Sequence, residues 1–286
     1  MKLSIVVSLQ PTRFSALAFQ GKTEEHLQKI KSLGYHGVEV AIRDPSLLDW
    51  DELGKKVRAY GLVVPAIGTG QAYVEEGLRF SSPSSEIRRQ AIERIRSHIL
   101  LAKRLHAGVI IGLIRGKVEV NEDFQRGYDW MIESLKVCCE EAEREDVFLW
   151  IEPLNRYETN LVNTIEEGVK LMDQVGSKNL GILPDTFNMN NEERSIEESL
   201  RKSMPFIRHV HIADSNRWAP GYGHLNFKSI LRVLMGMGYK GFLSFEILPM
   251  PNPDQAAKRA IEFFRKQWGG ELGALLPREG NFKVIF

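Results

Sequence analysis

Short apolar segments rich in β-branched residues alternate along the chain with longer stretches in which apolar and charged positions recur at helical spacing. The short segments are almost continuously apolar, which is typical of parallel strands that are covered by helices. This regular alternation predicts a parallel sheet with right-handed crossovers. We predict eight strands, at Leu3–Leu9, Val38–Ile42, Leu62–Ile67, Val109–Leu113, Val147–Glu152, Leu180–Pro184, Ile207–Ile212 and Phe242–Ile247.

The longer stretches predict one helix after each strand, and the first two helices end at glycines, Gly34 and Gly61. Eight βα units of roughly 34 residues imply a closed α/β fold, a single (β/α)8 TIM barrel over residues 1–268. An open, doubly wound sheet is the alternative, but it usually has a glycine-rich loop after its first strand, and residues 8–12 contain no glycine. The predicted helices are Thr23–Leu33, Asp49–Tyr60, Glu86–His106, Asn121–Arg144, Thr164–Val175, Ser195–Ser203, Phe227–Met235 and Pro253–Trp268.

Residues 269–286 follow the last predicted helix as a C-terminal tail. The final residues Val284, Ile285 and Phe286 are apolar, so we expect the tail to pack on the barrel or on a partner subunit. Homodimers and homotetramers are both compatible with the sequence.

Composition narrows the class of protein. The 286 residues contain 38 Lys and Arg against 37 Asp and Glu, and this balance argues against a dedicated nucleic-acid binder. The only cysteines, Cys138 and Cys139, are adjacent and fit a reducing compartment. No apolar run reaches the length of about 18 residues that a membrane span needs. We therefore expect a soluble cytoplasmic protein with a small-molecule substrate and neither a nucleic-acid nor a membrane partner.

Potential metal ligands lie at the ends of four consecutive predicted strands: Glu152, Asp185, His211 and Glu246. In a barrel, strand ends converge at the C-terminal mouth, where the catalytic residues of such folds lie. An unpaired carboxylate at the end of an apolar strand is costly, and three of them together repel one another unless a cation lies among them. The pattern therefore predicts a metal site.

Carboxylate and imidazole donors without thiolate favour a single six-coordinate divalent ion. Mn²⁺ is the expected metal, Co²⁺ and Mg²⁺ are compatible, and structural Zn²⁺ fits less well. No organic cofactor is expected. His209 lies on the same strand face as His211, and we expect it to be packed or to support the site rather than to bind the metal.

Several stretches resemble the sugar isomerase/epimerase barrels of the xylose isomerase-like TIM barrel superfamily. The similarity is greatest to the branch of D-tagatose 3-epimerase and hydroxypyruvate isomerase, and it covers essentially residues 1–268. The stretches are Leu33–Val40, Trp150–Thr159, Leu183–Asn190, His209–Arg217, Gly221–Phe227 and Gly241–Ile247.

This resemblance implies site roles and a reaction. Glu152, Asp185, His211 and Glu246 match the family's metal ligands, Glu152 and Glu246 match its acid/base pair, and Glu158 and Arg217 match positions that contact substrate oxygens. The implied activity is epimerisation of a ketose or keto-acid sugar. One glutamate removes the proton next to the ketone and the other returns one to the opposite face, through an enediolate that the metal stabilises. A narrower similarity points to the epimerase of 5-keto-L-gluconate in inositol breakdown, so 5-keto-L-gluconate and D-tagaturonate are candidate substrates.

Two further residues are predicted to contact substrate. The family often has His where this chain has Asn188, so a different substrate oxygen is a candidate partner there. Arg115 directly follows an apolar strand, and a guanidinium group binds carboxylates well, so we predict that Arg115 holds a substrate carboxylate. Arginines that follow other predicted strands are weaker candidates for the same role: Arg13, Arg43, Arg156 and Arg217.

Other functions stay open on the sequence alone. An aldose–ketose isomerase of the hydroxypyruvate or xylose type would use the same metal and the same glutamates. A non-catalytic sugar sensor is a further alternative. An abasic-site endonuclease shares this barrel but gathers many histidines around three metals, whereas four of the seven histidines here lie away from strand ends.

Overall fold

A computed structural model describes residues 1–269 as an α/β barrel. Eight parallel strands form its wall. Successive residues of each strand face the barrel interior and the surrounding helices in turn, and most of them are apolar and buried. A short additional strand, β2, pairs with β1 outside this ring. The strands are β1 (Lys2–Ser8), β2 (Phe19–Gln20), β3 (Gly37–Ala41), β4 (Ala66–Gly68), β5 (Gly108–Ile111), β6 (Leu149–Ile151), β7 (Leu180–Ile182), β8 (Val210–Ile212) and β9 (Phe242–Phe245).

The sheet closes on itself. Hydrogen-bonded neighbours run β7, β6, β5, β4, β3, β1, β9, β8. Parallel bridges pair Ile182 with Ile207 and Asp185 with His211, and these two contacts join β7 to β8. The His211 amide donates to the Pro184 carbonyl at 2.8 Å across this last seam. The predicted (β/α)8 barrel is therefore confirmed, and the open doubly wound alternative is wrong.

Within residues 1–269, eight helices surround the barrel and two short ones, α3 and α7, lie at its mouth directly after β4 and β7. The two short helices were not predicted, whereas the eight outer helices agree with the predicted ones to within a few residues. The helices are α1 (Thr23–Leu33), α2 (Trp50–Ala59), α3 (Gly70–Glu76), α4 (Ser85–Leu105), α5 (Phe124–Arg144), α6 (Ile165–Val175), α7 (Thr186–Glu192), α8 (Ile196–Ser203), α9 (Phe227–Gly236) and α10 (Pro253–Gly269).

Local signals fix the helix starts. Thr164 and Glu167 form a reciprocal capping box at the start of α6, and Asp49 accepts the Glu52 amide at the start of α2. Such caps contribute about 1 kcal/mol each. The Asp185 carboxylate likewise accepts the Phe187 amide and so begins α7. A predicted metal ligand is thus also the N-cap of an unpredicted helix.

The main core lies between the strands and the outer helices. The Phe245 ring on β9 meets the Phe264 ring of α10 edge-on at 5.1 Å and the Tyr35 ring at 5.9 Å. Burial of an aromatic or aliphatic side chain of this size contributes roughly 2 kcal/mol. A smaller cluster fills the barrel interior below the mouth: Ala66, Ile110, Trp150 and Leu183. The mouth therefore has a closed floor.

None of the helices in residues 1–269 is both long and apolar enough to cross a membrane. The prediction that residues 269–286 pack on the barrel or on a partner subunit falls outside the described residues, apart from Gly269 in α10.

Candidate functional site

The four predicted metal ligands meet at the C-terminal mouth of the barrel. One oxygen or nitrogen atom from each of Glu152, Asp185, His211 and Glu246 lies within 4.8 Å of the others, and all four residues are buried. His211 Nδ1 is 3.0 Å from Glu152 Oε1 and 4.0 Å from Glu246 Oε2. β8 and the segments that directly follow β6, β7 and β9 supply these side chains, so neighbouring strands place them side by side. The cluster has the donor set and spacing that a divalent cation needs.

Burial and crowding change the acidity of the cluster. Burial raises the pKa of Glu246 to about 8 and that of Asp185 to about 6, and the charge of Glu152 adds to both. Arg217 and His211 only partly offset these effects. Burial disfavours the charged form of His211, but the carboxylates of Glu39 and Glu152 outweigh it and hold its pKa well above the usual range. The site concentrates negative charge that a cation would neutralise.

Glu39 is a buried residue of the site to which the sequence analysis gave no role. Its two carboxylate oxygens contact the Nε2 atoms of His209 at 2.8 Å and of His211 at 2.9 Å. Burial would raise the pKa of Glu39, but the two imidazoles hold it well below its usual range. Because Glu39 occupies Nε2 of His211, Nδ1 is the nitrogen that faces the other carboxylates. A carboxylate behind a ligating histidine in this way fixes the orientation of the ring.

His209 supports this arrangement from the barrel interior. It stacks on the Trp150 ring, with centroids 5.0 Å apart, and it contacts Glu39 rather than the four-residue cluster. Glu39, His209 and His211 also lie close enough to hold an ion. The hydrogen bonds from both imidazoles to Glu39 account for that proximity without one.

Arg217 and Glu158 are the two residues that match substrate-contacting positions, and Arg217 joins Glu158 to the cluster. Its guanidinium donates to Glu158 Oε1 at 2.7 Å and to Glu246 Oε2 at 2.9 Å. It also lies over the rings of Phe14 at 5.6 Å and Phe187 at 5.0 Å. Within residues 1–269, Arg217 Nε and Glu158 Oε2 are buried and have no hydrogen-bond partner. Both residues line the central cavity.

Asn188 lies behind the cluster. Its amide nitrogen donates to Asp185 Oδ2 at 3.3 Å, and its oxygen accepts from the Asn155 side chain at 2.7 Å. The structure thus places Asn188 where it orients Asp185 and the loop after β6. It is not one of the residues that line the cavity.

The prediction that Arg115 holds a substrate carboxylate is wrong. Its side chain is fully buried and points away from the cavity into the protein. The guanidinium donates to main-chain carbonyls, at 2.7 Å to Glu152 and at longer range to Leu161 and Val162. Burial lowers the pKa of Arg115 to about 10. A short 3-10 turn at Leu113–Arg115 directs the side chain inward, so Arg115 fastens the loop that carries Glu158.

Three other arginines that were candidates for a substrate carboxylate form ion pairs with carboxylates of the protein itself. Arg13 contacts Glu75, Arg43 contacts Glu76 and Arg156 contacts Glu192. Of the five arginines, all within the described part of the chain, only Arg217 lines the cavity. Among the arginines predicted as candidates for a substrate carboxylate, Arg217 is therefore the one that the structure places at the cavity.

The family follows from the fold and from the sequence together. The family model described as the xylose isomerase-like TIM barrel matches residues 27–267. The chain belongs to the xylose isomerase-like TIM barrel family.

Relatives with named activities match nearly the whole chain. An L-ribulose 3-epimerase from Mesorhizobium japonicum is 27% identical over 261 residues, which are 91% of this chain and 86% of the relative. A D-psicose 3-epimerase from Ruminiclostridium cellulolyticum is 30% identical over 267 residues, covering 91% and 89%. A solved structure of L-ribulose 3-epimerase superposes with a TM-score of 0.82 at 25% identity, over 98% of this chain and 99% of the other.

Proposed function

We propose that this protein is a divalent-metal-dependent epimerase of a ketose or keto-acid sugar. Its enzyme class is that of its relatives, sugar epimerase. The observation that carries the proposal is the buried cluster of Glu152, Asp185, His211 and Glu246. Three of its members, Glu152, His211 and Glu246, line a cavity together with Glu158 and Arg217.

The four clustered residues are the proposed metal ligands. Their donors, three carboxylates and one imidazole, fit Mn²⁺ best, and Co²⁺ or Mg²⁺ would also be accepted. Such a cation, when bound, stabilises the negative charge that develops on substrate oxygens during proton abstraction. Glu39 is hydrogen-bonded to Nε2 of His211, so the Nδ1 atom of His211 faces the cluster. We propose no organic cofactor.

Glu152 and Glu246 are the proposed acid/base pair. They follow β6 and β9, at the two ends of the acidic cluster, so they reach the cavity from different directions. One takes the proton from the carbon next to the ketone and the other gives a proton to the opposite face of that carbon. Burial raises the pKa of Glu246 to about 8 in the metal-free cluster, and a bound cation would lower it toward the range of a general base.

Glu158 and Arg217 are the proposed substrate contacts. Their unpartnered atoms, Glu158 Oε2 and Arg217 Nε, offer an acceptor and a donor to sugar hydroxyl and carbonyl oxygens. Arg217 adopts φ 62°, a left-handed conformation that is uncommon outside glycine. The pairings with Glu158 and Glu246 hold it there.

A substrate panel tests the proposal. Metal-stripped protein is reloaded with Mn²⁺ and given pentuloses, hexuloses, ketose phosphates, 5-keto-L-gluconate and D-tagaturonate, and products are assigned by NMR. We expect a ketose or keto acid with one inverted carbon next to the carbonyl and no turnover without metal. Formation of an aldose would instead support the isomerase alternative, and metal-independent turnover would contradict the proposed site.

A further inference from the structure

The cavity wall opposite the acidic cluster carries one polar side chain with an unused atom. Gln71, the second residue of α3, lines this cavity and is 1% exposed. Its Nε2 donates to Ser8 Oγ at 2.7 Å. Its Oε1 has no hydrogen-bond partner within residues 1–269.

The hydrogen bonds around Ser8 determine which end of the Gln71 amide faces it. The Ser8 hydroxyl has one proton, and it donates this proton to the Gln10 carbonyl at 2.5 Å. A carbonyl oxygen only accepts, so Ser8 Oγ must in turn accept from Gln71. The amide NH₂ of Gln71 therefore faces Ser8, and Oε1 is left as the buried atom of the amide without a partner.

Other polar groups on this wall are already satisfied. The Thr69 hydroxyl donates to the Ile110 carbonyl at 2.6 Å. Three neighbouring residues that line the cavity have a small side chain or none: Ala41, Gly68 and Gly70. Among the described residues on this side of the cavity, Gln71 Oε1 is therefore an acceptor that still lacks a partner.

We propose that Gln71 Oε1 accepts a hydrogen bond from a hydroxyl group of the sugar, on the carbons beyond those that react. This inference rests on the proposed function, in which the carbonyl end of the sugar lies at the acidic cluster. A carboxylate or phosphate oxygen only accepts and would leave Oε1 unpaired, so the group recognised here is a hydroxyl. Gln71 is then a specificity-determining residue.

The test compares Gln71→Met with the wild type, both loaded with Mn²⁺. The sugar is the one that binds most tightly in the panel, used together with its analogues that lack one distal hydroxyl each. Binding is measured by calorimetry and turnover by NMR. Gln90→Met is the matched control, because Gln90 is exposed and its amide contacts Glu86 on the outer helix α4.

We expect Gln71→Met to weaken binding of the full sugar about tenfold, as loss of one hydrogen bond does. We expect less than about a twofold effect on the analogue that lacks the recognised hydroxyl. Unchanged Mn²⁺ affinity and thermal unfolding show that the variant is intact. Equal loss on every analogue, or no loss on the full sugar, would overturn the inference.

The same measurements separate this inference from the proposed function. Sugar binding that depends on Gln71 without any epimerisation refutes the proposed function and supports the inference. Epimerisation that is insensitive to Gln71 supports the proposed function and refutes the inference. If no sugar binds to the Mn²⁺-loaded protein, both are refuted.

Discussion

The two halves of the barrel mouth differ in charge and in side-chain size. The half formed by β6 to β9 carries Glu152, Asp185, His211 and Glu246, all buried within reach of one another. The half formed by β3 to β5 presents mainly uncharged residues, among them Ala41, Gly68 and Gly112, and the carboxylate of Glu39 on β3 is paired with His209 and His211. One half concentrates charge, and under the proposed function the other half would hold the chain of the sugar.

The largest effect is expected on the charged half, from Glu246→Gln. The amide keeps the size of the side chain but cannot take up a proton, so kcat should fall roughly a thousandfold at saturating Mn²⁺. Steady-state epimerisation measures this. Glu75→Gln is the control, since Glu75 contacts Arg13 and Thr12 outside the cavity. Full turnover of Glu246→Gln would remove this residue from the acid/base pair.

Arg115→Met should mainly reduce stability, in contrast to changes at Arg217. Removal of the guanidinium leaves buried carbonyls, including that of Glu152, without their donor. We expect a loss of roughly 3 kcal/mol in the free energy of unfolding, measured in urea. If stability were unchanged and only keto-acid sugars lost turnover, Arg115 would be a substrate residue and the structural assignment would be wrong.

Gly112→Ala tests how closely the two halves approach. A Cβ at Gly112 would lie 2.5 Å from Glu152 Oε2, so the carboxylate must move. We expect Mn²⁺ affinity, measured by calorimetry, to fall roughly tenfold or more. Gly236→Ala on α9 is the matched control, because nothing lies within 4 Å of the added atom. Equal affinity in both variants would mean that Glu152 is not a ligand.

The smallest expected effect is a pH dependence of the metal-free protein. Burial raises the pKa of Glu246 to about 8 and that of Asp185 to about 6, both above the values of exposed carboxyl groups. The folded state therefore holds protons that the unfolded state releases, and stability falls as pH rises from about 5 to about 8.

Thermal unfolding measures this pH dependence. The midpoint should drop by at least about 2 °C across the range, which corresponds to about 1 kcal/mol in a chain of this size. The drop should be smaller in Glu246→Gln and in the presence of Mn²⁺. A drop in wild type that is no larger than the drop in Glu246→Gln would contradict the assigned burial of Glu246.

The barrel and the residues of its charged half were predictable because they follow simple rules. Apolar runs of strand length recur with helices between them, and polar residues at the strand ends converge in any closed barrel. The short helix α7 was not predictable in the same way, since it starts where the Asp185 side chain caps it. Glu39 carried a detectable signal, as a lone acid between Val38 and Val40 in a buried strand.

The directions of the loop side chains were not predictable. Arg115 and Arg217 both follow barrel strands, yet one turns into the protein and the other into the cavity. The difference arises from the 3-10 turn at Leu113–Arg115 and from the carboxylates that surround Arg217. Gln71 was missed for a related reason, because its orientation depends on the Ser8 hydroxyl, far away in sequence.

Isotope exchange tests the central claim most directly. The Mn²⁺-loaded protein is incubated in D₂O with the sugar that it turns over, and the product is analysed by NMR. Proton removal by one glutamate and return by the other predicts one deuterium at the inverted carbon next to the carbonyl, and none appears without metal. Inversion without deuterium at that carbon, or inversion that persists in Glu246→Gln at the wild-type rate, would contradict the two-glutamate mechanism.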